Sequence, residues 1–82
     1  MGHLCTADGK FRHVFAKKKV FTHKEIEDIL GGPVSMHKLL SDDIMFFLKD
    51  QKPDLGFNLY AKQVSKKDIY GNVVQVEPQE VD

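Results

Sequence analysis

The clearest period along the chain is helical and short. Ile26, Ile29 and Leu30 fall at i, i+3 and i+4, an apolar stripe on a segment that otherwise carries Lys24, Glu25, Glu27 and Asp28. Thr22 stands where an N-cap belongs, and Glu25 three positions on completes a capping box. Phe21 before the cap and Ile26 at the fourth helical position form a hydrophobic staple. Gly31 suits the left-handed position that closes a helix, Gly32 loosens the exit, and Pro33 forbids continuation. The spacing therefore predicts a helix that starts at Thr22 and stops at Gly31-Gly32.

Elsewhere the pattern alternates. Asp8-Gly9 is a two-residue turn signal, which predicts a hairpin over residues 3–16. That turn sets Ala7 opposite Lys10, Cys5 opposite Arg12 and His3 opposite Val14. Phe11, His13 and Phe15 then share a face with Leu4 and Thr6. The second strand has room to run on through the lysines to Val20. Val34 to Leu40 alternates as a strand does. Ser41-Asp42-Asp43 has helix-capping chemistry, but Ile44-Met-Phe-Phe-Leu48 is short and aromatic and reads as a buried strand. Asp50 to Asp54 is a turn. Asn58 caps a short helix over 59–66, and Asp68 to Val76 reads as a last strand kinked at Gly71.

The order is hairpin, helix, two strands, helix, strand. The fold class is α+β: a small, mostly antiparallel sheet with two short helices. From residue 10 onward the order is βαββαβ, which a ferredoxin-like sandwich also has. The other arrangement is a small antiparallel sheet with its helices on one face. Residues 1–77 read as one domain and residues 78–82 as an acidic tail expected to fray.

Composition adds less. The chain has 82 residues and a net charge of zero. The first 24 residues carry +5, residues 25–30 carry −3 and the remainder −2. Such a chain can present a basic face to an acidic partner. Cys5 is the single cysteine, so no intramolecular disulfide forms, which favours a reducing, cytoplasmic setting. The longest apolar run, Ile44 to Leu48, is far too short to cross a bilayer, so no membrane partner is expected. Gly2 followed by Thr6 fits a short myristoylation pattern that also occurs by chance.

The residues Phe21-Thr22, Ile26 and Leu30-Gly31-Gly32, followed by Asn58-x-x-Ala61 and Ile69-Tyr70-Gly71-Asn72-Val73-Val74, carry a resemblance. Over about residues 20–77 the chain resembles domain-of-unknown-function family 3846, short uncharacterised proteins of gut bacteria and their mobile elements. Lys49-Asp50-Gln51-Lys52 departs from the Asn-Glu-Glu-Gly turn that the family shows there. The resemblance implies no activity and no catalytic residues. It implies a bacterial, phage or plasmid accessory protein.

Candidate chemistry is sparse. His3-x-Cys5 places two metal donors on one strand face, but a structural zinc site needs four. In the hairpin register above His13 lies on the opposite face, and His23 and His37 lie far along the chain, so no metal site is expected. Cys5 lacks an evident base to activate it. Asp42, Asp43, Asp50 and Asp54 lack the spacing of a calcium loop. No nucleotide-binding or hydrolase motif occurs, and no cofactor is expected. The polar cluster that stands out is Arg12 with Lys17, Lys18 and Lys19, supported by Lys10 and Lys24. Solvated strand-end lysines also discourage edge-to-edge pairing. The expectation is a small non-enzymatic interaction or regulatory module that binds a protein partner, with Arg12, Lys17, Lys18 and Lys19 as the contact residues. One alternative is a nucleic-acid-binding accessory domain using segment 10–19, with Phe11, Phe15 or Phe21 stacking on bases. Another is a small-molecule-binding oligomeric sensor, a dimer in its simplest form.

Overall fold

The computed structural model describes residues 2–81. Five strands form one sheet: β1 (Gly2–Cys5), β2 (Phe11–Val14), β3 (Val34–Lys38), β4 (Ile44–Leu48) and β5 (Val73–Val76). Their spatial order is β2-β1-β5-β4-β3, with every pairing antiparallel. Helices α1 (His23–Leu30) and α2 (Leu59–Ser65) complete the α+β fold.

Hydrophobicity sorts the strands by position. In β5 the adjacent residues Val73 and Val74 are both fully buried, as a central strand covered on both faces requires. Met45 and Phe46 in β4 behave alike. Edge strand β2 (Phe-Arg-His-Val) is exposed along Phe11, Arg12 and His13. Since neighbouring strand residues point to opposite faces, the sheet carries two cores. One holds Phe21, Ile26, Leu30, Val34, Phe46, Val74 and Val76 under α1. The other holds Cys5, Leu39, Met45, Ala61, Ile69 and Val73 under α2.

The two helices thus lie on opposite faces, which neither a ferredoxin-like sandwich nor a sheet with helices on one face has. The physical reason is the last strand. β5 enters the middle of the sheet between β1 and β4, so the α1 connection runs from one edge strand, β2, to the other, β3. Each helix then covers one side of the doubly apolar β4–β5 pair.

Helix α1 forms as its sequence dictates. Thr22 accepts from the Glu25 amide at 3.1 Å, and the Glu25 carboxylate accepts from the Thr22 amide at 3.2 Å. Gly31 is left-handed at φ 93°, and its amide donates to the Glu27 carbonyl at 2.7 Å. Phe21 and Ile26 are both buried in the same cluster, completing the staple. The expected side-chain cap of α2 is also present, with the Asn58 amide oxygen accepting from the Ala61 amide at 3.0 Å.

The hairpin register and two strand bounds need correction. The first hairpin is shifted by one residue: Cys5 pairs with Phe11, Leu4 with Arg12, His3 with His13 and Gly2 with Val14. The Thr6 amide donates to the Lys10 carbonyl at 2.9 Å and the Gly9 amide to the Thr6 carbonyl at 3.0 Å, enclosing the three-residue loop Ala7-Asp8-Gly9. Gly9, at φ 91°, supplies the left-handed last position of that loop. Secondly, β2 stops at Val14 instead of continuing to Val20, and β5 begins at Val73 instead of Asp68. Residues 78–81 of the expected tail lie against the domain. Pro78–Glu80 makes a 3₁₀ turn, the Phe21 amide donates to the Glu80 carbonyl at 2.6 Å, and Val81 bridges to Phe21 and packs on its core. Asp82 of the expected tail lies outside the described residues.

Gly2 is buried at the start of β1. A Cβ there would stand 2.8 Å from Cγ1 of Val76 and 3.3 Å from the Phe21 ring. Packing accounts for this glycine, since the backbone of β1 passes directly beneath the α1-side core.

Candidate functional site

The basic segment leaves the sheet at its open edge. Among the described residues, β2 has β1 on one side and no strand on the other. Arg12 stands on this edge strand, on the same sheet face as Leu4, its partner in β1. Lys17, Lys18 and Lys19 follow on a bend that leads to the start of α1, and all four side chains are exposed. Among the described residues, the ion pairs are Lys10–Asp8, Lys24–Asp28, Lys38–Asp42, Lys52–Asp50 and Lys62–Asp68. None of them involves Arg12, Lys17, Lys18 or Lys19.

Glu25 ties that bend down. Besides closing the capping box, its second carboxylate oxygen accepts from the Lys17 amide at 3.1 Å. The Lys17 amide, then the Thr22 amide, hold the Glu25 carboxyl below its ordinary value. A shallow cleft of about 250 Å³ opens here, lined by Phe15, Lys17, Glu25, Asp28 and Ile29. Phe15 is 71% exposed, which matches an aromatic placed beside cations at the surface. The structure therefore brings Lys17 to Glu25 and Phe15, while Arg12 remains on the strand.

The corrected register assembles a second polar group, on the α2 face. His3 and His13 are direct cross-strand partners with ring centroids 4.8 Å apart. His3 pairs on its other side with Gln75 of β5. The Tyr60 hydroxyl donates to the Gln75 amide oxygen, and the Gln75 amide nitrogen donates to Asp43 at 2.7 Å. Burial, and after it the neighbouring Cys5 and Asp43, raise the Tyr60 hydroxyl above its ordinary value. Tyr60 also meets Phe11 edge to face at 5.0 Å. Sequence reasoning missed Tyr60, Gln75 and the histidine pairing, because all three depend on strand register and on β5 lying beside β1.

The remaining candidates separate. Cys5 is 1% exposed and faces the α2 core. Burial pushes its thiol from 9.0 up to about 11, which leaves it protonated and unreactive near neutrality. Asp42 pairs with Lys38 at 3.7 Å, Asp50 with Lys52 at 3.4 Å, and Asp43 with Gln75. His23 meets Phe46 edge to face across the sheet from the histidine pair, at a centroid distance of 5.6 Å. Among the described residues, no three His, Cys, Asp or Glu side chains are grouped to hold a metal ion. No helix there is long and apolar enough to cross a membrane.

The positions that carried the family resemblance turn out to have structural work. Asn58 is 1% exposed and its amide nitrogen donates to the carbonyls of Cys5 at 3.1 Å and Gly71 at 2.9 Å. Ala61 is fully buried against Met45 and Val73. In the departing turn, the Gln51 amide oxygen accepts from the Tyr70 amide at 2.7 Å and its nitrogen donates to the Tyr70 carbonyl at 3.0 Å, as a strand neighbour would. Comparison with protein-family models, with curated proteins and with solved structures finds no match for this chain.

Proposed function

We propose that this chain is a small non-enzymatic interaction module that takes an acidic, extended segment of a protein partner along β2. The observation that carries this reading is an uncovered edge strand, β2, continuous with four exposed cations that have no carboxylate within 4.0 Å among the described residues. An added strand gains main-chain hydrogen bonds from the edge and specificity from alternate side chains. Carboxylates on that strand would meet Arg12 and the lysines, which speeds encounter and fixes orientation. The other edge, β3, is less suited, because its Lys38 is already engaged by Asp42 at 3.7 Å.

The resemblance to the uncharacterised gut-bacterial and mobile-element proteins supports an accessory, regulatory setting in a bacterial cytoplasm. Nucleic acid is the second reading, favoured by the exposed Phe15 ring beside Lys17 in one cleft.

The test is a backbone-amide NMR titration with an extended peptide of alternating glutamate and valine, and in parallel with a single-stranded oligonucleotide. The peptide is expected to move the amides of residues 11–14, and Arg12→Glu combined with Lys17→Glu, Lys18→Glu and Lys19→Glu is expected to remove the response. No movement with peptide, together with salt-steep movement of residues 15–19 with oligonucleotide, would replace this reading by the second.

A further inference from the structure

The open end of the α2 face holds the cross-strand pair His3 and His13. In an antiparallel pair, directly opposed residues alternate between hydrogen-bonded and non-hydrogen-bonded positions, and the latter bring side chains closer. The Thr6–Lys10 bond fixes the phase at 2.9 Å. Counting outward from it, Cys5–Phe11 and His3–His13 are the close positions. This is why the two imidazole centroids stand 4.8 Å apart, tilted by 52°. Both residues are exposed, so an ion from solvent can reach them. Neither β1 nor β2 must move to bring the rings together, because the sheet already fixes their backbones.

We infer that His3 and His13 form a two-histidine site for a divalent transition ion of the zinc type, with water completing the coordination. Imidazole is a preferred donor for such ions. Two nitrogens about 2.0 Å from one ion in a tetrahedral array stand roughly 3.3 Å from each other, a separation compatible with ring centroids 4.8 Å apart on directly opposed strand residues. Bound there, the ion clips the hairpin between its two strands and stiffens edge strand β2. The site stands independently of the peptide-binding reading, since it lies on the other sheet face from Arg12 and needs none of the lysines.

The experiment uses the full chain and zinc chloride alone. Zinc is expected to raise the melting temperature reversibly, with chelator restoring the original value. Losing an outer-shell partner already costs a metal site about tenfold in affinity. His3→Gln and His13→Gln, each of which removes one of two protein donors, are expected to weaken binding by at least that factor, while His37→Gln leaves it unchanged. In the wild-type protein, zinc is expected to shift the imidazole NMR signals of His3 and His13 together and to leave those of His23 and His37 in place. The inference is overturned if either single variant binds zinc as tightly as the wild type, if only one of the two rings responds, or if zinc produces neither shift nor stabilisation.

Discussion

Asn58 joins three parts of the protein with one side chain. Its oxygen caps α2 through Ala61, and its nitrogen holds the carbonyls at the end of β1 and at Gly71. Replacing it with alanine removes a cap worth about 1 kcal/mol and two further buried hydrogen bonds of about 1 kcal/mol each, so Asn58→Ala should cost about 3 kcal/mol in urea unfolding. A loss below about 1 kcal/mol would mean that water replaces the amide without penalty. Cys5 gives a pH-dependent test. Its folded-state value, about 11, lies above the ordinary 9.0, so the neutral thiol favours the folded state fully below pH 9. That contribution is lost as pH rises through 11, since only the unfolded chain ionises readily between the two values. Comparison with Cys5→Ala over this window isolates the thiol from lysines and tyrosines. The variant should show a shallower fall in stability with rising pH. The cap function of Asn58 was legible from its place before a short apolar stripe. Its two long bonds were not, because their acceptors, Cys5 and Gly71, are brought to it only by the sheet.

At the level of elements, local signals succeeded where the interaction was local. Capping box, staple and glycine stop all act within twelve residues, and α1 formed between them. The hairpin failed by one residue because Asp8-Gly9 serves as readily in the last two positions of a three-residue loop as in a two-residue turn. That single residue exchanged the faces of β2, set His13 beside His3, and moved Phe11 onto Tyr60. The β3–β4 loop has the same design. The Leu39 amide donates to Asp43 at 2.8 Å and the Asp42 amide to Leu39 at 3.0 Å, so Leu40-Ser41-Asp42 is again three residues. Here the left-handed last position, φ 73°, is held by an aspartate where the first hairpin has Gly9. Asp42→Gly should therefore stabilise the protein by about 0.5–1 kcal/mol, read as a higher melting temperature. The exposed Lys38–Asp42 pair it removes, at 3.7 Å, is of the kind that contributes little. A lower melting temperature would show that the aspartate carboxylate supports the loop.

For the whole molecule, the decisive facts are the two cores and the closing of one of them by residues 78–81. Val81 packs beside Phe21, and Glu80 satisfies the Phe21 amide. Ending the chain at Glu77 should cost roughly 2 kcal/mol, from one orphaned buried amide and lost apolar contact, and should speed exchange of the Phe21 amide. An unchanged unfolding midpoint would show that the turn merely rests on the core. The layered arrangement itself was not legible from element order, because the run of strands and helices is compatible with several strand orders. What the sequence did hold was the double apolarity of Val73-Val74 and Met45-Phe46, a mark of strands covered on both faces.

The position of β5 has a consequence for how the molecule is made. It follows every other strand in the chain, yet it sits between β1 and β4 and contributes to both cores. Without it, the β1–β2 and β3–β4 hairpins share no main-chain bond among the described residues, and neither core has its central wall. Cooperative folding is therefore expected only once Val76 has been synthesised, since the pairing of β5 with β1 closes contacts far apart in the chain. The same geometry divides the protein into two complementary pieces. A chain ending before Asp68 lacks the wall that both cores share, and a peptide spanning residues 68–81 carries the strand that supplies it.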